Sequence, residues 1–205
     1  MGPVYPVNLL LAGRRCVVVG GGPVAERKVS GLVEAGADVV VIAPTVREEI
    51  RRLGRVAVVE REYRSSDLDG AWLAVAATGD PSVNRQVHAD AEAARVWVNA
   101  VDDPPACSVI LPAVARRGPV VVAVSTSGQS PALAAWIRDR VAAKLGPEIA
   151  ILAELLSEVR EEMKATGRST EGVDWRSALD SDMLELIRTG QLALARERLQ
   201  ACLSS

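Results

Sequence analysis

A doubly wound parallel α/β sheet is the fold class this sequence predicts, followed by a small α+β segment and an all-helical C-terminal domain. Three observations carry the expectation. Residues 16–19 (CVVV), 38–43 (DVVVIA) and 72–77 (WLAVAA) are short apolar runs rich in Val and Ile, suited to strands buried on both faces. Stretches with apolar residues at helical spacing lie between such runs, so strand and helix alternate. Beyond residue 146 the strand-like runs stop and only helical patterns remain.

The elements follow in order. Tyr5, Val7, Leu9, Leu10 and Leu11 form an irregular lead-in, and a first strand and helix span about 15–35, with Gly36 as helix stop. The second strand, 38–43, ends at Pro44, and a short helix covers 47–53. Residues 56–63 (VAVVEREY) read as a third strand, SSDLDG as a loop and 72–77 as the fourth strand. Asp80-Pro81 resembles an N-cap followed by a first-turn proline, opening a helix over 82–95 with Val83, Val87 and Ala91 on one face. Residues 96–101 (VWVNAV) make the fifth strand.

The rhythm then changes. Strand-like runs at 108–114 and 119–125 are joined by ARRG alone, too short for a parallel crossover, so they pair as a hairpin or meet at a turn as edge strands. A helix starting within 128–131 runs to about 145, and Gly146-Pro147 breaks it. The remainder reads as a helix over 148–166, a loop through Gly172 and two shorter helices. Ile149, Leu152, Leu155, Leu156 and Val159 give the first of these an apolar face. The expected domains are 1–113, 114–146 and 147–205.

Bulk properties narrow the function. Of 205 residues, 49% are hydrophobic and 3% aromatic, with no Phe, so the core is built from Val, Leu, Ile and Ala. A net charge of −2 provides no global field for nucleic acid or a membrane surface. No apolar run reaches transmembrane length and the N-terminus lacks a signal-peptide pattern, so a cytoplasmic location is expected. Cys16, Cys107 and Cys202 are scattered and His88 is the one histidine, so no metal-ligand spacing is present.

The chemistry centres on CVVVGGGPVAERK, residues 16–28. Gly20, Gly22 and Ala25 fill the G-x-G-x-x-A spacing between a strand and a helix. In such a dinucleotide turn the first glycine permits the tight bend, the second lets backbone approach a pyrophosphate, and the small third residue lets helix lie near strand. The helix N-terminus then offers unpaired N–H groups to an anion. The acidic residue that reads the ribose about twenty positions on is missing, because the second strand ends Ile42-Ala43-Pro44-Thr45. Ribose recognition falls to backbone or Thr45, and nearby Arg47 raises NADP as an alternative to NAD. The ends of strands four and five supply Ala77, Thr78, Gly79 and Asp80, then Asn99, Ala100, Val101, Asp102 and Asp103. Hydride transfer leaves a proton to be taken; Asp102 and Asp103 are both placed to take it, either of them equally a turn residue before Pro104-Pro105.

VVVGGGPVAERK (17–28), WLAVAATGDPSVN (72–84), VNAVDDPPACSVILPA (98–113) and STSGQSPALA (125–134) together resemble the precorrin-2 dehydrogenase/sirohydrochlorin ferrochelatase family of sirohaem synthesis. The likeness covers most of residues 14–145; residues 146–205 match only in character. It implies a Rossmann domain, a dimerisation segment and a helical tail in an interlocked homodimer that oxidises precorrin-2 to sirohydrochlorin with NAD. Some members also insert ferrous iron, as a substrate, to give sirohaem. By resemblance, Pro23 and Val24 contact NAD after the glycines, as do Pro44 and Thr45 after the second strand; Thr78 borders the cofactor. Without the acidic residue, the family still uses NAD. The family's essential aspartate, thought to act as general base, falls on Asp102, and Asn99 and Ser130 fall near the tetrapyrrole. A substrate rich in carboxylates needs local cations, for which Arg116, Arg117, Arg138, Arg140 and Lys144 are candidates. Two other readings compete: a non-catalytic NAD-sensing domain, and an NADP-linked reductase of another substrate.

Overall fold

β-Branched runs with no polar interruption can be satisfied only by burial on both faces. The first of them forms β1 (Arg15–Val19) and lies between two others. In the computed structural model, which describes residues 4–171, 173–179 and 182–202, the chain divides into two units, Met1–Leu111 and Pro112–Ser205. The first unit holds a five-stranded, all-parallel sheet in the order β3-β2-β1-β4-β5. Its strands are β1, β2 (Asp38–Ile42), β3 (Val56–Val59), β4 (Leu73–Ala76) and β5 (Trp97–Ala100). Its helices are α1 (Pro23–Glu34), α2 (Glu48–Arg51) and α3 (Pro81–Ala94).

Side-chain alternation along the strands divides the core into two layers. Cys16, Val18, Val39, Val41, Leu73 and Val75 pack against Ala25, Val29 and Leu32 of α1 and Ile50 of α2. Val17, Val19, Ile42, Ala74, Ala76, Val98 and Ala100 pack against Val87 and Ala91 of α3. The sheet is thus covered on both faces, and its strand order reverses between β1 and β4. That reversal is the switch point where ligands bind in folds of this class.

Several boundaries differ from the sequence expectation, each for a local reason. β3 ends at Val59, not Tyr63, because Arg61 turns aside to grip Asp67 with both terminal guanidinium nitrogens, at 2.8 and 2.6 Å. The SSDLDG stretch is not irregular throughout; Ser65–Leu68 form a 3-10 turn, and Asp67 also accepts the Arg64 N–H at 2.8 Å. Trp72 lies outside β4, half-exposed, with the Arg14 guanidinium 3.5 Å over its ring.

In the second unit β6 (Ala113–Arg117) and β7 (Val120–Val124) pair antiparallel, Arg117 opposite Val120. The hairpin is the expected one, but its first strand starts at Ala113 and not at 108. Ser108 and Val109 donate instead to the Val98 carbonyl, at 2.9 and 3.1 Å, and Ser108 Oγ accepts the Val98 N–H at 2.8 Å. That segment is therefore committed to β5. The turn is Gly118-Pro119, with Gly118 at φ +55°, so Arg116 and Arg117 are strand residues.

α4 (Pro131–Ala142) packs on the hairpin, and α5 (Pro147–Ala165) follows the Gly146-Pro147 break. Among the described residues the tail continues as three helices where two were expected: α6 (Trp175–Leu179), α7 (Met183–Arg188) and α8 (Leu192–Cys202). Gly190, at φ +75°, separates the last two. Gly172, the expected end of the loop, lies outside the described residues. Leu152, Val159 and Met163 of α5 close a core with Met183, Leu186, Ile187, Ala195 and Leu199. Glu148 of α5 accepts two bonds from Arg188 of α7, at 2.9 and 2.6 Å.

Candidate functional site

Parallel strands end at one edge of the sheet, so their following connections converge there. The Gly20 N–H donates to Ile42 O at 2.9 Å, Ala77 N to Val19 O at 2.8 Å and Val101 N to Ala76 O at 2.9 Å. These bonds draw together the connections after β1, β2, β4 and β5.

The three glycines of the first connection have different neighbours. Gly20 sits at φ +128°, and a Cβ there would lie 2.3 Å from Ala77 O. A Cβ on Gly21 would lie 2.1 Å from Thr45 O. Gly22 would bring a Cβ within 4 Å of nothing. The first two glycines are therefore required by the protein's own backbone, while the third faces open space over α1. Gly22 is the N-cap of α1, and no side chain caps that helix end. Pro23 occupies the first turn, where its missing N–H costs nothing. Val24 is half-buried and Ala25 fully buried against the sheet, so the Ala25 side chain serves helix–strand packing. An uncapped helix N-terminus beneath a bare glycine fits a pyrophosphate.

Pro44 and Thr45 are exposed at the end of β2. Arg47 follows, its N–H bonded to Gly21 O at 3.0 Å. Its guanidinium pairs with Glu26 of α1 at 2.9 Å and with Glu49 at 3.1 Å. Thr78 begins the connection after β4. Its hydroxyl lies 2.7 Å from Asn84 Oδ1 and 2.9 Å from the Asp80 carbonyl, and accepts the Asp80 N–H at 3.2 Å. Its own N–H donates to Asn84 Oδ1. The Asp80 carboxylate accepts from Ser82 N–H at 2.7 Å, the N-cap geometry anticipated for it.

Asp102 is exposed in the turn after β5, at φ +60°, in the left-handed region uncommon for residues other than glycine. The turn is closed by a thiol. Cys107 Sγ accepts the Ala100 N–H at 3.2 Å and approaches the Ala100 and Asp103 carbonyls at 3.2 and 3.4 Å. Asn99 lies beneath, its Nδ2 donating to Val109 O at 3.0 Å and reaching Cys107 Sγ at 3.6 Å. Burial pushes the Cys107 thiol up, so it stays protonated as the clip. Lys28 of α1 lies close enough for its charge to interact with Asp102 and Cys107; burial first and Arg27 second hold its ammonium below the ordinary value, and Asp102 opposes them.

The other sequence candidates lie in the second unit. Ser130 caps α4, its Oγ accepting the Leu133 N–H at 3.2 Å while its own N–H donates to Thr126 Oγ1 at 3.0 Å. Arg116 is exposed on β6, and Arg117 Nε donates to Leu145 O at 2.8 Å. Arg138 pairs with Asp139 at 2.7 Å, and Arg140 lies over the Trp136 ring at 4.7 Å. Among the described residues no three His, Cys, Asp or Glu side chains gather as a metal site, and no helix is long and apolar enough to cross a membrane.

Sequence reasoning missed Glu26, Asn84, Lys28 and the clip by Cys107. The spacing of Asn84, four residues after an N-capping Asp80, was the one local signal available.

Residues 7–113 match the family described as putative NAD(P)-binding, and residues 117–144 match the sirohaem biosynthesis protein central family. A siroheme synthase of Methylobacillus flagellatus is 37% identical over 205 residues, covering 97% of this chain and 44% of its own length. One from Pseudomonas entomophila is 42% identical over 202 residues, covering 96% and 43%. The chain thus spans less than half the length of these relatives. Among solved structures, a SirC precorrin-2 dehydrogenase superposes with a TM-score of 0.70 at 28% identity, covering 98% of this chain and all of that one.

Proposed function

This chain belongs to the putative NAD(P)-binding family, whose model matches residues 7–113, and from that premise, with residues 117–144 matching the sirohaem biosynthesis protein central family, we propose that it oxidises precorrin-2 to sirohydrochlorin with NAD. The observation that carries the reading is the open Gly22 over an uncapped α1, at the switch point of a sheet whose fifth strand delivers Asp102 to the same edge. The siroheme synthase relatives and the precorrin-2 dehydrogenase neighbour support it.

Bound NAD supplies the hydride acceptor. The residues present do the rest. The backbone N–H groups of Gly22, Val24 and Ala25 would hold the pyrophosphate at the positive end of the helix dipole. Pro44, Thr45 and Thr78 border it, Thr78 kept in place by Asn84. Desaturation removes a hydride and a proton from the tetrapyrrole, and the Asp102 carboxylate takes the proton. Asn99 and the Cys107 thiol fix the turn from which Asp102 projects. Arg116, Arg117 and Ser130 of the second unit are candidates for binding tetrapyrrole carboxylates, and ferrous iron is a second substrate, with Asp102 accepting the pyrrole protons that chelation displaces. The hairpin and α4 leave Val121, Leu133 and Trp136 exposed, an apolar set suited to a homodimer contact. A cytoplasmic site of action completes the proposal.

Anaerobic mixing of the protein with precorrin-2 and NAD should raise sirohydrochlorin and NADH absorbance in step. Asp102→Asn should abolish that turnover, by at least about a hundredfold, while leaving NAD affinity within about threefold. An Asp102→Asn protein of wild-type turnover would remove Asp102 from the mechanism. A wild-type protein that binds NAD and makes neither product would leave the sensor reading in front.

A further inference from the structure

Arg47 lies shortly after the end of β2, where a dinucleotide fold reads the ribose 2′ position, and a free arginine there accommodates a 2′-phosphate. It is not free. Its N–H is tied to Gly21 O at 3.0 Å, which fixes it beside the glycine turn. Its Nε meets Glu26 of α1 at 2.9 Å and its Nη2 meets Glu49 of α2 at 3.1 Å. The neighbouring charges are matched as well: Arg51 pairs with Glu48 and Glu60, and Arg52 with Glu48. The local triad of Glu26, Arg47 and Glu49 carries one net negative charge.

We propose that Glu26 and Glu49 are specificity residues, clamping Arg47 so that the site takes NAD and rejects NADP. The inference rests on the dinucleotide reading above and deepens it. A 2′-phosphate arriving here must break two charge-assisted contacts and face an uncompensated carboxylate, whereas a 2′-hydroxyl disturbs neither. The sequence gives the position no acidic residue at the end of β2. The carboxylates come instead from the first turn of α1 and from α2, where the usual fingerprint does not look.

The test is direct binding of NAD and of NADP, by calorimetry without substrate, to wild type, to Glu26→Gln/Glu49→Gln, and to that double variant with Arg47→Gln added. All three changes are on exposed or half-exposed side chains, and equal thermal midpoints certify the fold. Wild type should bind NAD at least about tenfold more tightly than NADP, and the double variant should narrow that ratio by about tenfold as Arg47 becomes available to phosphate. Adding Arg47→Gln should return the lost discrimination. An unchanged ratio in the double variant overturns the clamp. So does a gain that persists without Arg47, because simple repulsion by the carboxylates would then be the cause. A wild-type protein that binds neither dinucleotide overturns the parent reading and the clamp with it, a result distinct from NAD binding with an unmoved ratio.

Discussion

Gly20→Ala and Gly22→Ala alter the same motif two residues apart, and they should fail in opposite ways. At Gly20 the added Cβ falls 2.3 Å from Ala77 O and 2.7 Å from Ala77 C, about 1 Å inside ordinary contact, at a φ of +128°. The obstacle is backbone, and Ala77 is itself bonded to Val19 O at 2.8 Å, so no side-chain rotation relieves it. Overpacking costs about 1–3 kcal/mol and the backbone strain a similar ~1–3 kcal/mol, giving about 4 kcal/mol together. In a unit of this size that lowers the melting temperature by about 15 °C. At Gly22 the backbone is extended and nothing lies within 4 Å, so stability should stay within about 1 kcal/mol. The methyl instead stands between the α1 N–H groups and the pyrophosphate, weakening NAD binding by about 10–100-fold. Circular dichroism melts and NAD calorimetry on the two variants decide it. A Gly20→Ala protein with an unshifted melt, or a Gly22→Ala protein of wild-type affinity, would refute the assignment of separate tasks to the two glycines.

Cys107→Ala should loosen the Asp102 turn and lower kcat by about tenfold with the Kd for NAD unmoved, while Cys107→Ser, which keeps a donor and acceptor, should recover most of the loss; single-turnover kinetics read both. Asp67→Asn should destabilise the first unit by about 2 kcal/mol at pH 7, because Asp67 is buried against Arg61 and the Arg64 N–H. Those partners, Arg61 foremost, hold its carboxyl below the ordinary range. The contribution is therefore complete above the unfolded value near 4 and is lost as pH falls through the lower folded value; urea melts should show the wild-type advantage shrinking as the solution is acidified below that unfolded value. Burial pushes the Cys16 thiol up to about 11, so thiol reagents at pH 7 should label it only after unfolding, as read by mass spectrometry.

The sheet was legible because its signal is redundant. Five Val- and Ala-rich runs, all but the third and fourth separated by a helical stretch, leave few alternatives to a parallel doubly wound fold, and the alternation of Cys16 and Val18 with Val17 and Val19 between the two core layers follows from pleating alone. What escaped were interactions whose partners are remote in sequence. Nothing in IVL-rich residues 108–111 announces that Ser108 will bond to Val98, and that capture displaced the hairpin to Ala113. β3 shortened because Arg61 answers Asp67, a pairing invisible to any count of apolar residues. At the site, the glycine spacing located the turn, but which glycine serves the fold and which the ligand depends on the carbonyls of Thr45 and Ala77. Asp102 and Asp103 could not be separated by position; the left-handed φ belongs to Asp102.

Trp72 and Trp97 have a practical bearing on how this protein is watched. Both are about half exposed, and both stand where β4 and β5 begin, Trp97 level with Leu73 in the register. The glycine turn stands where the strands end, about 13 Å away across four residues of sheet. The indoles of the first unit thus sample solvent on the side remote from the cofactor, and Arg14 over Trp72 couples one of them to the N-terminal lead-in. The steady-state emission of these two indoles, isolated by replacing Trp136 and Trp175, should therefore report melting of the sheet's lower edge while staying nearly silent to direct contact with NAD. Excitation transfer from the same indoles to NADH acts through space and needs no contact, making sensitised NADH emission the optical signal that follows cofactor occupancy.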